Sequence, residues 1–359
     1  MKRQGKIRVL IVDDSALMRQ LLTRILEESD GFEVVGIAAD PFIAREKIKQ
    51  HNPDVLTLDI EMPGMDGITF LERLMRLRPM PVVMISSLTE RGAQATLRAL
   101  DLGAVDFVAK PRNLPLTRID DLADEIRSKV RAAAMSRLRL EPPPAPALRP
   151  PEKRSGPRLH SSAVVAIGAS AGGTQAIKQL LDALPADTPG IAIVQHMPPK
   201  FTTLFADRLN QSSAVEVHEA RDGDRLSVGC ALVAPGGLHM AVRRDALGYF
   251  VEVYDAPPVN RHRPSVDVLF ESVAQAAGSR ALGVILTGMG DDGARGLRTL
   301  RARGAMTVAQ NQETCVVFGM PDQAIRLGGV QEVLPLDRIA PRIEHWAALG
   351  RAEPQARKH

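Results

Sequence analysis

Acidic residues, a serine and a lysine stand at the ends of apolar runs in the first third of the chain. Asp13 and Asp14 follow "IRVLIV", Asp59 ends "DVLTLD", Ser86 ends "PVVMIS" and Lys110 follows "DFVA". If these runs are parallel strands, their ends meet at one edge of a sheet, where open α/β folds hold functional groups. Three carboxylates repel one another unless a cation lies among them, and oxygen ligands suit Mg²⁺. An aspartate beside such an ion can accept a phosphoryl group, whose oxygens the lysine and the serine hydroxyl would stabilise.

A structural role is the alternative for these aspartates. Residues such as "DDS" in front of a helical segment often cap the helix. For any single residue this explanation would suffice. Chemistry-bearing residues at four strand ends together favour the phosphoryl site.

The elements that would position these residues form a regular alternation from residue 7 to about 130. Five apolar runs are separated by segments such as "SALMRQLLTRILEE" and "GITFLERLMRLR", whose apolar residues recur at helical spacing. This βα alternation predicts an α/β fold of the flavodoxin-like kind, with a five-stranded parallel sheet.

Four segments of this region carry a resemblance to a known family. "LIVDDSALMR", "LTLDIEMPGMDG", "MISS" and "VAKP" resemble the signature segments of response-regulator receiver domains. The resemblance implies that Asp59 is the residue that becomes phosphorylated. It also implies that Asp13, Asp14, Asp59 and the backbone carbonyl of Glu61 hold Mg²⁺.

The same resemblance assigns switch and stabilising roles. It implies that Ser86 is the hydroxyl switch residue, Phe107 the aromatic switch residue and Lys110 the lysine that stabilises the phosphoryl group. For Phe107, a plain core position is the alternative. The resemblance further implies a cis peptide bond before Pro111.

The composition changes between the two halves of the chain. "RLRLEPPPAPALRPPEKRSGPRLHSS" is rich in proline and arginine and predicts an extended linker. Beyond it, "AVVAIGA", "GIAIVQHM" and "ALGVILTG" resume the βα alternation, and the turn-rich "VEVHEARDGDRLSVGCALVAPGGLHMAV" predicts β-hairpins. We expect a receiver domain at 7–125, a helix end and linker at 126–160, a doubly wound α/β domain with an antiparallel hairpin insertion at 161–350, and a basic tail at 351–359.

A glycine-rich loop opens the second domain. "GASAGG" matches neither the dinucleotide fingerprint nor a P-loop, but Gly168 to Gly172 fit G-x-S-x-G at a strand-to-helix turn. Such a turn exposes a serine, here Ser170, beside the free N–H groups of a helix N-terminus, which can stabilise an oxyanion. An N-cap role for Ser170 is the alternative.

A nucleophilic serine needs a base and an acid that orients the base. His196 closes the next predicted parallel strand, so it can lie beside Ser170. Three other histidines are rivals: His218, His239 and His262. Asp292 closes a third strand, and spacing alone does not separate it from Asp291. The order Ser…His…Asp differs from that of α/β-hydrolases, which places this triad on another fold.

Residues from about 161 to 348 resemble the catalytic domain of chemotaxis-specific protein-glutamate methylesterases. The resemblance lies in "AIGASAGG", "QHMPP", "PPVNRHRPSVDVLF", "ILTGMGDDGA" and "CVVFGMP". It implies that Ser170 is the nucleophile, His196 the base, Asp292 its orienter, and the backbone of Met289 part of an oxyanion hole. The family commonly has Thr where this chain has Ala171, so only the backbone N–H of Ala171 remains there as a donor.

The two resemblances together imply an activity. We expect a phosphorylation-activated serine hydrolase that removes methyl groups from chemoreceptor glutamates, releases methanol and deamidates receptor glutamines. Mg²⁺ would serve phosphorylation, and hydrolysis would need no cofactor. The partners would be methyl-accepting chemoreceptors and a chemotaxis histidine kinase. A DNA-binding response regulator and a non-catalytic scaffold are the alternatives. The residues of "RHR", Arg261 to Arg263, fit either a substrate-facing or a surface role.

Composition limits the other classes of function. The net charge is +4, and aromatic residues make up 3% of the chain, so a base-stacking nucleic-acid surface is not expected. No apolar run reaches the length of a membrane span, and the N-terminus lacks the apolar region of a signal peptide. Cys230 and Cys315 lack metal-site spacing and are expected to be buried free thiols. We therefore expect a cytoplasmic protein without membrane insertion.

Overall fold

The chain is seen in a computed structural model that divides into two compact units, Met1–Pro144 and Ala145–His359. The structure describes the following residues: 5–87, 89–110, 119–136, 153 and 160–352. Most of the linker predicted at 126–160 and most of the tail predicted at 351–359 lie outside the described residues. The peptide bond before Pro111 lies outside them as well.

The first unit is built on a parallel sheet with the strand order β2-β1-β3-β4-β5. Its strands are β1 Ile7–Val12, β2 Phe32–Ala38, β3 Val55–Asp59, β4 Val82–Ser86 and β5 Asp106–Ala109. Its described helices are α1 Ala16–Glu27, α2 Pro41–His51, α3 Gly67–Leu77, α4 Glu90–Asp101 and α5 Ile119–Met135. This strand order is that of flavodoxin-like folds, so the predicted fold is confirmed. The strands β3 and β4 are buried along their whole length, which fits their mainly apolar sequences. Their polar residues are Thr57 and the two strand-end residues Asp59 and Ser86.

The helix α1 is capped by Ser15 and not by either of the two preceding aspartates. The Ser15 hydroxyl accepts the N–H of Met18 and caps α1, while the Asp13 carboxylate accepts the N–H of Ser15. The capping role suggested for "DDS" therefore belongs to the serine. Asp13 and Asp14 precede this cap at the end of β1.

The second unit contains a seven-stranded sheet with the order β14-β13-β12-β6-β7-β9-β8 and a separate two-stranded hairpin. The sheet strands are β6 Val164–Ala169, β7 Gly190–Gln195, β8 Glu216–Glu219, β9 Cys230–Val233, β12 Ala281–Ile285, β13 Met306–Gln310 and β14 Glu332–Leu334. All neighbouring strands of this sheet pair in parallel. The antiparallel hairpin consists of β10 His239–Asp245 and β11 Gly248–Tyr254. The expected doubly wound α/β domain with a hairpin insertion is confirmed.

The turn-rich stretch of residues 215–242 differs in detail from the prediction. It was expected to form β-hairpins, but β8 and β9 pair in parallel at the edge of the main sheet. Only β10 belongs to a hairpin, and its partner β11 lies beyond the stretch. The connection over residues 220–229 is long enough to return the chain to the same end of the sheet, so its glycines mark a crossover instead of a tight hairpin turn.

The helices of the second unit cover the sheet and begin at its carboxyl edge. They are α6 Gly173–Asp182, α7 Phe201–Ser212, α8 Val266–Ala276, α9 Ala294–Ala302, α10 Met320–Arg326 and α11 Leu336–Ala352. The loops before α6, α8 and α9 follow or adjoin β6, β7 and β12, the central strands. Among the described helices of the whole chain, none is long and apolar enough to cross a membrane.

Candidate active site and phosphorylation site

An acidic cluster lies at the carboxyl edge of the first sheet. Asp13 and Asp14 follow β1, and Asp59 is the last residue of the neighbouring strand β3. One carboxylate oxygen of each lies within 4.8 Å of the others. Asp13 and Asp59 are buried, whereas Asp14 is exposed. The Glu61 N–H donates to Asp59 Oδ1 over 3.2 Å. Every candidate metal ligand in this cluster is an oxygen atom, and most of them belong to charged carboxylates. The cluster therefore fits Mg²⁺.

Lys110 joins two of these carboxylates. Its Nζ lies 2.7 Å from Asp59 Oδ2 and 3.2 Å from Asp13 Oδ2. Burial raises the pKa of Asp59 to about 6, since the bond to Lys110 offsets only part of the lost hydration and the Asp13 charge adds to the rise. Burial also raises the pKa of Asp13. Burial alone would lower the pKa of Lys110, but its contacts with Asp59 and Asp13 raise it, so the ammonium stays charged.

Ser86 lies at the same edge but its hydroxyl is engaged with α4. Ser86 follows the residue of β4 that pairs with Asp59. Its Oγ accepts a bond of 2.6 Å from Thr96 Oγ1 and lies 3.2 Å from the carbonyl of Gly92, to which it can donate. The structure therefore places Ser86 in the expected strand-end position, with its hydroxyl bonded to α4 and not to Asp59.

Phe107 is buried in β5, only 3% exposed. The Nζ of Lys129 in α5 lies 5.1 Å from the centre of its ring and donates to its carbonyl over 2.5 Å. The side chain thus fills a core position next to a cation. This burial fits both of the roles that the sequence left open.

Ser170 occupies the turn between β6 and α6. Its N–H donates to the carbonyl of Thr287, which ties the turn to the end of β12. Gly172 has the left-handed φ of 74°, and a Cβ there would lie 2.6 Å from Val316. A Cβ on Gly288 would lie 2.9 Å from the Cβ of Ser170. The small residues of the motif are therefore required by a tight turn that is packed on two sides.

His196 lies beside Ser170 on the neighbouring strand. In the register of β6 and β7, Ala169 faces Gln195, and the His196 N–H donates to the Ala169 carbonyl over 3.1 Å. The backbone pairing of β6 and β7 therefore extends just past the ends of both strands, to the positions that Ser170 and His196 occupy. The rival His239, in β10 of the hairpin, has a different partner: its Nε2 lies 3.1 Å from the Pro257 carbonyl.

Asp292, and not Asp291, is the acid that contacts the histidine. His196 Nε2 lies 2.8 Å from Asp292 Oδ2, whereas Asp291 is exposed and its carbonyl accepts the N–H of Ala294. Spacing could not separate the two aspartates, because adjacent residues of a loop face different directions. The geometry makes the distinction.

The carboxylate of Asp292 is surrounded by donors. Besides His196, it accepts bonds from Asn260 Nδ2 at 2.8 Å, Ser265 Oγ at 2.7 Å, and the N–H groups of Val266 and Asp267 at 2.6 and 3.2 Å. Burial alone would raise its pKa, but the bonds to His196, Asn260 and Ser265 outweigh burial and hold the pKa well below its usual range. The acid is therefore ionised whenever the protein is folded at ordinary pH.

This arrangement indicates which nitrogen of His196 is available to accept a proton. If Nε2 donates to the ionised Asp292, then Nδ1 is the unprotonated nitrogen. The Nδ1 atom is buried and has no hydrogen-bond partner within the described residues, and the same residues give no bond from Ser170 Oγ to His196. A nucleophile and its base often come into full contact only when substrate is bound.

The backbone N–H groups of Ala171 and Met289, which are expected in the oxyanion hole, both belong to peptides whose carbonyls are hydrogen-bonded. The Ala171 N–H belongs to the peptide whose carbonyl, that of Ser170, accepts bonds from the Gly173 N–H and Gln195 Nε2. The Met289 N–H belongs to the peptide of the Gly288 carbonyl, which accepts the two N–H groups of Gly319 and Met320. Because a trans peptide is planar, anchoring each carbonyl fixes the direction of the N–H on its far side.

Sequence reasoning missed the loop before α8. Asn260 and Ser265 donate to Asp292, and the ring of His262 stacks on that of His196 with the centroids 3.7 Å apart and the planes 8° apart. The segment "NRHRPS" belongs to a stretch that carries the family resemblance, but the sequence alone does not assign a role to it. Nothing in the periodicity of this loop indicates that it reaches the ends of β7 and β12.

Comparison with known proteins agrees with this architecture. Residues 9–118 match the family model of the response regulator receiver domain, and residues 165–343 match that of the CheB methylesterase. The second unit is similar to the crystal structure of the Thermotoga maritima CheB methylesterase catalytic domain, with a TM-score of 0.50 and 36% identity over 51% of this chain and 97% of that chain.

Two relatives match nearly the whole length of the chain. The chain is 53% identical to the protein-glutamate methylesterase/protein-glutamine glutaminase of Salmonella typhimurium, over 97% of this chain and 99% of the relative. It is 54% identical to protein-glutamate methylesterase/protein-glutamine glutaminase 2 of Pseudomonas aeruginosa, over 95% and 97% of the two chains. The chain therefore belongs to the CheB methylesterase family, with a response regulator receiver domain ahead of the methylesterase domain.

Proposed function

We propose that the chain is a phosphorylation-activated serine hydrolase that demethylates glutamate methyl esters on chemoreceptors and deamidates receptor glutamines. The observation that carries the proposal is the contact between His196 and the ionised Asp292 beside the serine turn. A histidine held by a buried carboxylate, next to a half-buried serine in a strand-to-helix turn, is the arrangement that activates a serine hydroxyl. The activity named for both full-length relatives supports the same reaction.

The residues act in two stages. Ser170 Oγ attacks the carbonyl carbon of the methyl ester while His196 Nδ1 takes its proton, and the N–H groups of Ala171 and Met289 stabilise the oxyanion. His196 then returns the proton to the departing methoxide, so that methanol leaves and an acyl-serine remains. A water molecule, deprotonated by His196, attacks the acyl carbon. Ser170 leaves with the proton from His196, and the glutamate is released.

Deamidation follows the same route with a different leaving group. The side-chain amide of glutamine takes the place of the ester, and ammonia departs in place of methanol. In both reactions Asp292 stays ionised, stabilises the imidazolium form of His196 and keeps its ring in place. The hydrolysis is proposed to need no cofactor.

The first unit is proposed to control this activity through Asp59. Asp13, Asp14, Asp59 and the Glu61 carbonyl would hold Mg²⁺, which supplies positive charge next to the phosphoryl oxygens when bound. Asp59 accepts the phosphoryl group from a chemotaxis histidine kinase, and Lys110 neutralises part of its charge. Ser86 would leave its contacts in α4 to bind a phosphoryl oxygen. The side chain of Phe107 in β5 would change its position in response.

We propose the domain limits as 7–125 for the receiver, 126–160 for the helix end and linker, 161–350 for the hydrolase and 351–359 for the tail. The substrates are methyl-accepting chemoreceptors, and the protein acts in the cytoplasm. Cys230 and Cys315 are both free and buried, which fits a reducing compartment. Burial raises the pKa of Cys315 to about 12, so its thiol is unreactive.

Methanol release from methylated receptor membranes tests the proposal directly. The wild-type chain should release methanol, faster after addition of a small phosphodonor and Mg²⁺. Ser170→Ala should release none above the background, while Ser212→Ala, a change in α7 with the same chemistry, should behave as wild type. Undiminished release by Ser170→Ala would show that another residue is the nucleophile.

A further inference from the structure

We propose that the turn Val259–Arg263 is a positioning element for the catalytic pair, in which Asn260 fixes the carboxylate of Asp292 and His262 fixes the imidazole of His196. The proposal rests on the hydrolase function proposed above. It concerns residues that touch the base and its acid, not the substrate.

Asn260 is held in one orientation. Its Nδ2 donates to Asp292 Oδ1 and to Asp267 Oδ2, both over 2.8 Å. Its Oδ1 accepts a bond of 2.8 Å from Arg295 Nη2, and Arg295 Nε lies 3.2 Å from Asp267 Oδ2. Because a guanidinium can only donate, Arg295 determines which end of the amide faces the carboxylates. The amide therefore presents both of its N–H groups to acids, one of which is Asp292.

His262 restrains the base from another direction. The bond from His196 Nε2 to Asp292 fixes one edge of the ring, but the ring could still turn about that bond. The parallel ring of His262 covers one face at a centroid distance of 3.7 Å, and such a turn would collide with it. The two contacts together leave His196 one orientation, in which Nδ1 is the nitrogen left for the serine proton.

The backbone of the turn is adapted to place both side chains. Val259 and His262 exchange two backbone hydrogen bonds of 2.9 and 3.1 Å. The two residues between them, Asn260 and Arg261, have φ values of 50° and 67°. Consecutive left-handed residues define a tight type I′ turn, which is favourable for asparagine and glycine but strained for arginine. Strain of this kind persists where the surrounding structure requires the conformation, which is most often at functional sites.

The test measures kcat and KM for methanol release with the full chain, at saturating phosphodonor and Mg²⁺ so that the receiver state is the same throughout. His262→Ala should lower kcat by about 10- to 100-fold with KM changed by less than about twofold, because a misplaced base slows the reaction without weakening substrate binding. His262→Phe keeps a flat ring and should restore kcat to within about threefold of wild type. A purely structural role would instead lower the melting temperature in step with activity.

Asn260→Gly isolates the amide, since glycine keeps the left-handed backbone and removes only the side chain. It should lower kcat by about tenfold. Asn52→Gly is the matched control and should keep the wild-type kcat. It also removes an asparagine side chain from a left-handed position, with a φ of 44°, but in the first unit, where the Asn52 amide bonds to Arg78.

Three results would overturn the proposal: wild-type kcat in His262→Ala, equal losses in His262→Phe and His262→Ala, or wild-type kcat in Asn260→Gly. If His262→Ala fails to fold, the other two variants decide. Failure of the proposed function is a different outcome. It would show as full activity in Ser170→Ala, whereas an inactive Ser170→Ala with fully active turn variants would reject only the positioning roles.

Discussion

Asp59 in the first unit and Asp292 in the second are the same kind of residue at the same kind of place, yet their environments act in opposite directions. Both lie at the carboxyl edge of a parallel sheet and both are 1% exposed. Burial and the neighbouring Asp13 raise the pKa of Asp59 to about 6. The donors around Asp292 hold its pKa well below the usual range.

The difference lies in the number of hydrogen-bond donors, not in the degree of burial. Asp59 receives one backbone N–H and shares a single lysine with Asp13. Asp292 receives five donors from three segments of the second unit: His196 after β7, Asn260 in the turn before α8, and residues 265–267 at the start of α8. A carboxylate with few donors keeps oxygens available for a metal ion and a phosphoryl group. A carboxylate saturated with donors has no oxygen left for such a ligand, and its contact with His196 fits the orienting role proposed for Asp292.

The largest effect should come from removing the charge of the saturated acid. Asp292→Asn should lower kcat for methanol release by about 10³- to 10⁴-fold with the fold intact, because an amide no longer stabilises the imidazolium or its tautomer. Stopped methanol assays with matched circular dichroism spectra would measure it. Asp291→Asn, one residue away and exposed, is the control and should stay close to wild type. Equal losses in both variants would contradict the assignment of the acid.

Replacement of the proposed phosphorylation site should abolish activation but leave basal hydrolysis intact. Asp59→Asn should reduce the incorporation of a phosphoryl group from about one per chain to none and abolish activation by a phosphodonor, while basal hydrolysis persists, since only the reactive oxygen is lost. Mass spectrometry of the intact chain with acetyl phosphate and Mg²⁺ would measure this. Asp14→Asn, which removes an exposed ligand and keeps the acceptor, should still be phosphorylated but need more Mg²⁺. An adduct of equal amount in Asp59→Asn would exclude this residue as the acceptor.

These sites also show which residues can be predicted from the sequence and which cannot. The strand ends Asp13, Asp59 and Ser170 could be predicted, because apolar runs mark parallel strands and parallel strands align their carboxyl ends. The choice between Asp291 and Asp292 could not be made from spacing, since it depends on which loop residue turns toward β7.

The contribution of the loop before α8 was beyond sequence reasoning for a related reason. Asn260 and His262 reach Asp292 and His196 through a tight turn without hydrophobic periodicity, and these partners lie far away in the chain. The parallel pairing of β8 was missed because turn residues in a crossover look like those of a hairpin. Local patterns determine elements, while contacts between loops depend on the assembled sheet.

A smaller effect should appear in stability. The folded pKa of Asp292 lies below its unfolded value, so its ionised form stabilises the fold above about pH 4, and this contribution is lost as the pH falls further. Asp292→Asn should therefore lower the free energy of unfolding by about 1–3 kcal/mol at pH 7, and the difference from wild type should shrink below about pH 4.

Fluorescence of Trp346 in α11 during urea unfolding would follow this change, because it is the single tryptophan of the chain and lies in the second unit. Asp59→Asn, a buried acid of the first unit, is the matched control and should leave this transition unchanged. A penalty for Asp292→Asn that stayed constant from pH 7 to pH 3 would mean that the carboxylate is not ionised in the folded protein.

The smallest effect should come from Ala171, where the family commonly has a threonine. The donor that Ala171 is proposed to give the oxyanion is its backbone N–H, which the anchored Ser170 carbonyl fixes in place. Ala171→Thr adds a hydroxyl next to this N–H without moving it, so kcat for methanol release should change by less than about threefold. Ala171→Val is the control, because it has the shape of threonine without the hydroxyl. A gain of tenfold or more in Ala171→Thr alone would show that a side-chain donor is needed in the oxyanion hole, and that the backbone groups of this chain do only part of the work.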